Sequence, residues 1–188
     1  MTIDVNKPVM DVVKESEGVC YRCRNTKCCQ DRPVLVDREI YRIADYLDMK
    51  VDDLIENGFN RKEVYFKERL MPKKHNFYCI FGVGQWIKDE EKQKEIIKKR
   101  MEPSSNLFMK LYDGINLFSE SMNPLRLSCG IYSARPTECK IILCGEPELS
   151  EYFTEKFLVD QNDSRTLKVF EEEKARNFSK GKSHIFNR

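Results

Sequence analysis

The sequence predicts a mainly α-helical fold, organised as a single irregular domain over residues 1–188. Apolar residues recur at helical spacing in several stretches, a pattern typical of amphipathic helices that bury one face. The length of 188 residues, 40% of them hydrophobic, suits one domain with a sizeable core. Because 33 basic and 31 acidic side chains leave a net charge of only +2, the composition excludes a disordered, highly charged chain.

The clearest helical pattern follows Asp37, whose carboxylate is expected to accept hydrogen bonds from amides of the first turn. A second helix is predicted from Val51 to Asn57 and ends at Gly58, since glycine readily adopts the left-handed conformation that follows many helices. We expect the two helices to pack as a pair. The apolar residues predicted to face inward are Ile40, Ile43, Ala44, Leu47, Leu54 and Ile55.

Weaker patterns lie on both sides of this pair. Val9, Val12 and Val13 are spaced to line one face of a short N-terminal helix, after which Gly18 leads into a cysteine-rich segment expected to be a loop. Residues 78–81 fit a short buried strand or a turn equally well.

A charged helix is predicted over residues 85–102. Glu90 and Lys94, and likewise Glu95 and Lys99, have the i, i+4 spacing that favours ion pairs on a helix surface. This pattern indicates a solvated helix rather than a nucleic-acid-binding stripe.

Two longer regions complete the prediction. Residues 82–127 are interpreted as an insertion that packs as a helical flap over the cysteine residues, with a second apolar stretch at 107–117. Residues 150–188 are predicted to form a helix, capped by Asp163, followed by a frayed tail.

The most informative residues are eight cysteines. No stretch is apolar enough to cross a membrane, and the first residues carry charges where a signal peptide needs an apolar core. A cytoplasmic location is therefore expected, where thiols stay reduced and clustered cysteines bind metals more often than they form disulfides. The eight candidate ligands are Cys20, Cys23, Cys28, Cys29, Cys79, Cys129, Cys139 and Cys144.

The spacing of the first four cysteines points to metal chemistry. Cys20 and Cys23 have the two-residue spacing that aims two sulfurs at one ion. The adjacent side chains of Cys28 and Cys29 diverge, which favours a polynuclear centre or two sites. We expect the two cysteine groups to meet in space beside Cys79, so that the helical domain is built around one or more cysteine-ligated metal centres.

Thiolates suit both zinc and iron–sulfur clusters. The only histidines are His75, four positions before Cys79, and His184. The shortage of histidine and the Cys28-Cys29 pair favour an iron–sulfur cluster of the 4Fe-4S type, with zinc as the alternative.

The cysteine pattern resembles the cysteine-cluster family described as zinc- or iron-chelating domain proteins (the CxxCxxCC type). The resemblance covers most of residues 20–144 and implies metal chelation. Here four residues, rather than the family's usual two, precede the Cys-Cys pair, and Cys144 lies outside the family pattern. The matching segments are Cys20 to Cys29, residues 36–59, Cys79-Ile80-Phe81 and the motif CGIYSARPTEC from Cys129 to Cys139.

Arg135 lies inside this last motif and is predicted to contact the bound cluster. A guanidinium near several thiolates offsets negative charge and donates hydrogen bonds to sulfur. The competing interpretation is that Arg135 pairs with a carboxylate such as Glu138, while Pro136 shapes the turn before Cys139.

The sequence therefore predicts a metal-binding protein with a redox or accessory role and an unidentified protein partner. Related cysteine clusters occur in flagellin lysine methylases, so the resemblance leaves a protein-modifying enzyme open. The chain carries no nucleotide-binding or catalytic-triad motif, and intrinsic catalysis is not expected. Nucleic acid is not expected as a partner because the net charge is close to zero, and no membrane partner is expected.

Overall fold

The computed structural model describes residues 6–22, 33–36, 38–75, 78–84, 87–102, 127–141 and 147–179. In these ranges the protein is mainly helical, as predicted, and its strands form two-stranded sheets. The α-helices are α1 Val9–Arg22, α2 Glu39–Leu47, α3 Val51–Gly58, α4 Glu90–Met101, α5 Thr137–Ile141, α6 Pro147–Phe153 and α7 Ser164–Ser179, with a 3-10 helix at Tyr132–Ala134 and a π-helix at Thr154–Leu158. The strands are β1 Phe59–Val64, β2 Lys67–Pro72, β3 Lys74–His75, β4 Tyr78–Cys79, β5 Gly82–Gly84 and β6 Leu127–Cys129.

The chain divides into two compact units. The terminal unit combines Met1–Arg22, Lys62–Arg69 and Thr137–Arg188, and the central unit combines Cys23–Arg61 with Leu70–Pro136. That the chain forms one domain stays a prediction. Among the described residues, no helix has the length and apolar character required to cross a membrane.

The N-terminal helix of the terminal unit is longer than the sequence pattern predicts. It runs from Val9 to Arg22, buries Val12 and Val13, and packs against α5. The backbone therefore remains helical through Gly18 and Cys20, and the expected loop at Cys20 is wrong. A glycine inside a helix costs about 1 kcal/mol relative to alanine, a penalty that burial of the helix face outweighs.

The hairpin β1–β2 turns at Tyr65 and Phe66, which both have left-handed backbones with φ of 50° and 60°. Two such residues form the turn that matches the twist of a hairpin, although bulky side chains adopt this conformation at a cost. Contacts in the terminal unit hold this turn: the Tyr65 hydroxyl donates to Glu173, and the Arg165 guanidinium lies 5.2 Å from the centre of the Phe66 ring.

The core of the central unit contains the inward-facing residues predicted for α2 and α3. Ile43, Leu47 and Leu54 are fully buried there. The start of α2 differs from the prediction, because the residue that precedes the helix is Arg38, with a left-handed backbone and no side-chain capping bond. Instead, Glu39 turns back and accepts a 2.9 Å hydrogen bond from the amide of Val36. Asp37, the predicted cap, lies outside the described residues.

A short antiparallel pair joins the two ends of the predicted insertion. The strand β5 pairs with β6 in the register Gly82↔Cys129, Val83↔Ser128 and Gly84↔Leu127. Since residues 85–126 leave and return at adjacent strand ends, this long segment closes without separating the strands that precede and follow it. Residues 103–126, including the predicted apolar stretch at 107–117, lie outside the described residues.

The charged helix α4 begins later than predicted, at Glu90, where the Asp89 carboxylate accepts a 2.9 Å hydrogen bond from the amide of Lys92. Ile97 and Met101 are buried in the core of the central unit. The predicted pair between Lys99 and Glu95 is present at 2.8 Å.

The other predicted pair on α4 is wrong. Lys94 binds Glu91 at 2.8 Å rather than Glu90. The Glu90 carboxylate instead accepts a hydrogen bond from the hydroxyl of Tyr46 on α2. A helix pattern cannot indicate this, because the competing hydrogen-bond donor comes from another helix.

Gly130, directly after β6, occupies a crowded position. A Cβ atom there would lie 2.8 Å from Ile97 Cδ1, 3.0 Å from Val83 Cγ1 and 3.3 Å from the Phe81 carbonyl oxygen. At Gly58, by comparison, a Cβ would meet the flexible end of Met101, at 3.0 Å.

We therefore expect Gly130→Ala to lower the free energy of unfolding by about 1–3 kcal/mol, since buried neighbours on two elements must move. Gly58→Ala should cost less than about 1 kcal/mol, because Met101 can change its side-chain torsions and alanine favours helix. Chemical denaturation of both variants measures the difference, and equal losses would contradict the packing argument.

The C-terminal helix α7 begins at Ser164, as the Asp163 cap predicts. The Asp163 carboxylate accepts a 3.0 Å hydrogen bond from the amide of Arg165 and binds its guanidinium at 2.8 Å. These contacts with Arg165 lower the pKa of Asp163 from its ordinary 3.8 to about 2.

A carboxylate with a lowered pKa contributes stability that is present above pH 3.8 and is lost as the pH falls through about 2. Asp163→Asn keeps a capping oxygen and removes the charge, so its melting temperature should lie below that of the wild type at pH 5. This difference should shrink between pH 4 and pH 2, and added salt should reduce it at pH 5. Calorimetry across this range tests the expectation, and a difference independent of pH would contradict it.

Candidate metal centre

Two of the predicted ligands, Cys79 and Cys129, lie in the central unit. Cys79 ends β4 and is buried, and Cys129 ends β6 and is half-buried. Neither thiol forms a disulfide. Both pack with the apolar core that α2, α3 and α4 enclose.

The strand register brings these two cysteines close together although 50 positions separate them in the sequence. A turn at Ile80 and Phe81 connects Cys79 to Gly82, the residue paired with Cys129. A β-turn holds its ends within about 7 Å and paired residues lie about 5 Å apart, so the Cα atoms of Cys79 and Cys129 are separated by about 12 Å or less. The amide of Gly130 adds a 2.9 Å hydrogen bond to the Phe81 carbonyl.

Arg100 of α4 holds the turn between Cys79 and Gly82. Its Nη1 donates to the carbonyl of Ile80 at 3.2 Å and to the carbonyl of Gly82 at 2.5 Å. A charged donor shared by two carbonyls fixes the direction of the turn, and with it the position of Cys79 relative to Cys129.

The terminal unit contains Cys139 on α5 and the backbone of Cys20 in the last turn of α1. The helices α1 and α5 pack against each other, so two cysteine-bearing helices meet within this unit. Cys139 is half-buried and forms no disulfide. The side chain of Cys20 and the whole of Cys23, Cys28, Cys29 and Cys144 lie outside the described residues, and convergence of all eight thiols stays a prediction.

Arg135, the residue predicted to contact a cluster, is only 2% exposed. Its guanidinium carbon lies 4.2 Å from the centre of the Tyr132 ring, and its carbonyl accepts a 2.8 Å hydrogen bond from Arg42. Arg42 also binds the buried Glu39 carboxylate at 3.3 Å. A guanidinium removed from water is stabilised by negative charge, and thiolates are anions.

Within the described ranges, no three side chains among histidine, cysteine, aspartate and glutamate form a group able to hold a metal ion. The strand pairing of the central unit instead brings the backbones of two cysteines, Cys79 and Cys129, within about 12 Å of each other. Their soft sulfur donors suit zinc or an iron–sulfur cluster and not Mg²⁺ or Ca²⁺. His75 pairs through its backbone with Tyr78 in the β3–β4 hairpin, and its side chain lies outside the described residues.

Comparison with protein-family models, with curated proteins and with solved structures found no match for this chain. The resemblance to the cysteine-cluster family therefore stays a prediction based on the motifs alone.

The structure adds three residues that the sequence pattern did not single out for the site: Arg100, Tyr46 and Gly130. Arg100 is three positions after Ile97, so helical spacing places it at the edge of the buried face of α4. That spacing is the sequence feature from which a role for Arg100 near the core could have been predicted. Tyr46 lies at the edge of the α2 face in the same way, next to Leu47.

Arg100→Met should lower the free energy of unfolding by about 1–3 kcal/mol, because two turn carbonyls lose a charged donor while the apolar stem is kept. Lys92→Met, on the exposed face of the same helix, is the matched control and should change stability by less than about 0.5 kcal/mol. Denaturation curves for both variants provide the measurement. Equal losses of stability in the two variants would mean that the hydrogen bonds from Arg100 to the two turn carbonyls do not stabilise the protein.

Proposed function

We propose that this protein binds a metal centre through cysteine thiolates, and that the centre is an iron–sulfur cluster with a redox or accessory role. The observation that supports this most directly is the pairing of Gly82 with Cys129, which brings the backbones of Cys79 and Cys129 within about 12 Å of each other, with neither thiol in a disulfide. A core that brings together two thiols from distant segments, without joining them in a disulfide, suits metal ligation.

The charge of the site gives a second line of support. Each thiolate ligand adds a negative charge, and a centre with several thiolates needs nearby cations or hydrogen-bond donors. Arg135 supplies a buried guanidinium four positions before Cys139 in the chain. Stacking on Tyr132 and the hydrogen bond from Arg42 to its carbonyl hold this residue in place.

Cys79 and Cys129 would hold such a centre together with cysteines from the other segments. Bound there, an iron–sulfur cluster would supply one-electron chemistry. The residues of this chain would determine the hydrogen bonds and charges around the sulfurs, which tune a cluster's potential. A four-thiolate zinc site is the alternative for the same donors, and it would make the centre structural.

The test is purification of the full chain without oxygen, followed by metal and sulfide analysis and visible absorption spectroscopy. Iron, acid-labile sulfide and a brown colour are expected, whereas zinc in a colourless protein would favour the alternative. Serine replacements Cys79→Ser, Cys129→Ser and Cys139→Ser should each lower the metal content and the melting temperature together, because metal binding is coupled to folding.

Ser128→Ala, on the strand that ends in Cys129, is the matched control and should leave the metal content unchanged. Cys144→Ser, outside the family pattern, should have a smaller effect than the other cysteine replacements. Circular dichroism shows whether each variant keeps its helices. Full metal content in a folded Cys79→Ser/Cys129→Ser variant would rule out these two thiols as ligands.

A further inference from the structure

A polar network lies beside Cys129 in the central unit, and it is not needed to explain the packing of the core. The hydroxyl of Tyr46 lies 2.9 Å from Oε1 of Glu90 and 3.3 Å from the carbonyl oxygen of Gly130. The Ser133 hydroxyl lies 3.4 Å from the same Glu90 oxygen. Side chains from α2, α4 and the turn after β6 therefore meet at the Glu90 carboxylate, and Tyr46 connects them to the carbonyl of Gly130, the residue after Cys129.

Contacts on two sides hold Gly130, the residue that follows Cys129. On the inner side, the amide of Gly130 donates to the Phe81 carbonyl at 2.9 Å, and Ile97 leaves no room for a Cβ at Gly130. On the outer side, the Gly130 carbonyl accepts from Tyr46. Both backbone polar atoms of Gly130 are thus bonded, which restricts the direction in which the preceding side chain, Cys129, leaves the strand.

Tyr46 is itself held in place. The Lys94 ammonium lies 4.7 Å from the centre of the Tyr46 ring, a distance suited to a cation–π contact. Burial raises the pKa of Tyr46 above its ordinary value of 10, and the hydrogen bond to Glu90 and the negative charges of Glu90 and Cys129 raise it further. The phenol therefore remains a neutral hydrogen-bond donor at neutral pH.

We infer that Tyr46 and Glu90 are positioning residues for Cys129. Tyr46 holds the Gly130 carbonyl through its hydroxyl and so restrains the backbone that follows Cys129. Glu90 orients that hydroxyl and would place a negative charge near the proposed centre. This inference rests on the proposed function, in which Cys129 is a ligand of a redox-active centre. A fixed negative charge near a cluster disfavours the gain of an electron, so Glu90 lowers the reduction potential.

Two variants separate the positional role from the electrostatic one. Tyr46→Phe keeps the ring and its contact with Lys94 but removes the donor to the Gly130 carbonyl. Glu90→Gln keeps an oxygen that can accept from Tyr46 but removes the negative charge. Glu91→Gln is the matched control, because Glu91 is the adjacent carboxylate on α4 and binds Lys94 instead of Tyr46.

The experiment uses the full chain as purified and measures two quantities. Amide hydrogen exchange at Gly130, followed by mass spectrometry, should accelerate about fivefold in Tyr46→Phe, with exchange near Ile43 in the core unchanged. The reduction potential, from a titration monitored by electron paramagnetic resonance, should rise in Glu90→Gln by more than in Glu91→Gln, while exchange at Gly130 stays at the wild-type rate.

Each measurement can contradict one of the two proposed roles independently of the other. Unchanged exchange at Gly130 in Tyr46→Phe would overturn the positional role, and a potential in Glu90→Gln equal to that in Glu91→Gln would overturn the electrostatic role. A protein that purifies without a redox-active centre would overturn the iron–sulfur proposal and with it the electrostatic role. Hydrogen exchange would then still decide the positional role of Tyr46.

Discussion

The pairing of Gly82 with Cys129 is the constraint on which the central unit depends. It closes the long segment 85–126, and it carries the end of β6 to the turn that follows Cys79. A strand pair of three residues on each side is weak alone, since isolated hairpins are marginal in water. Its stability comes from the surroundings: Val83 and Ile131 are completely buried, and Arg100 binds the carbonyls of Ile80 and Gly82.

The parts of this arrangement that follow a regular period could be predicted from the sequence. Apolar residues at helical spacing predicted α2 and α3 and their buried residues, such as Ile43 and Leu54, because burial of a helix face imposes that spacing. Likewise Asp163 predicted the start of α7, since the capping bond is local in sequence.

The features that were missed depend on contacts between distant residues. The strand β5 has the sequence Gly-Val-Gly and shows no alternation, so nothing in it indicates pairing with residues 127–129. Glu90 binds Tyr46, 44 positions away, rather than the lysine one helical turn ahead. The extension of α1 through Cys20 also depends on packing, because glycine at position 18 alone indicates an end to the helix. Tertiary contacts determine these three features, and a local sequence pattern cannot indicate such contacts.

In the proposed function, metal ligation and folding would be linked. Cys79 and Cys129 lie on either side of the segment 85–126, so a centre that binds both would close a loop of about 50 residues, in parallel with the β5–β6 pair. The strand pair and the proposed centre would close the same loop. Each would therefore reduce the loop-closure entropy that the other has to overcome. Arg100 donates to the carbonyls of Ile80 and Gly82, which follow Cys79, and Tyr46 donates to the carbonyl of Gly130, which follows Cys129. Residues that ordinarily stabilise turns therefore also restrain the backbone next to the two cysteines, so α2 and α4 would position the ligands of the proposed centre.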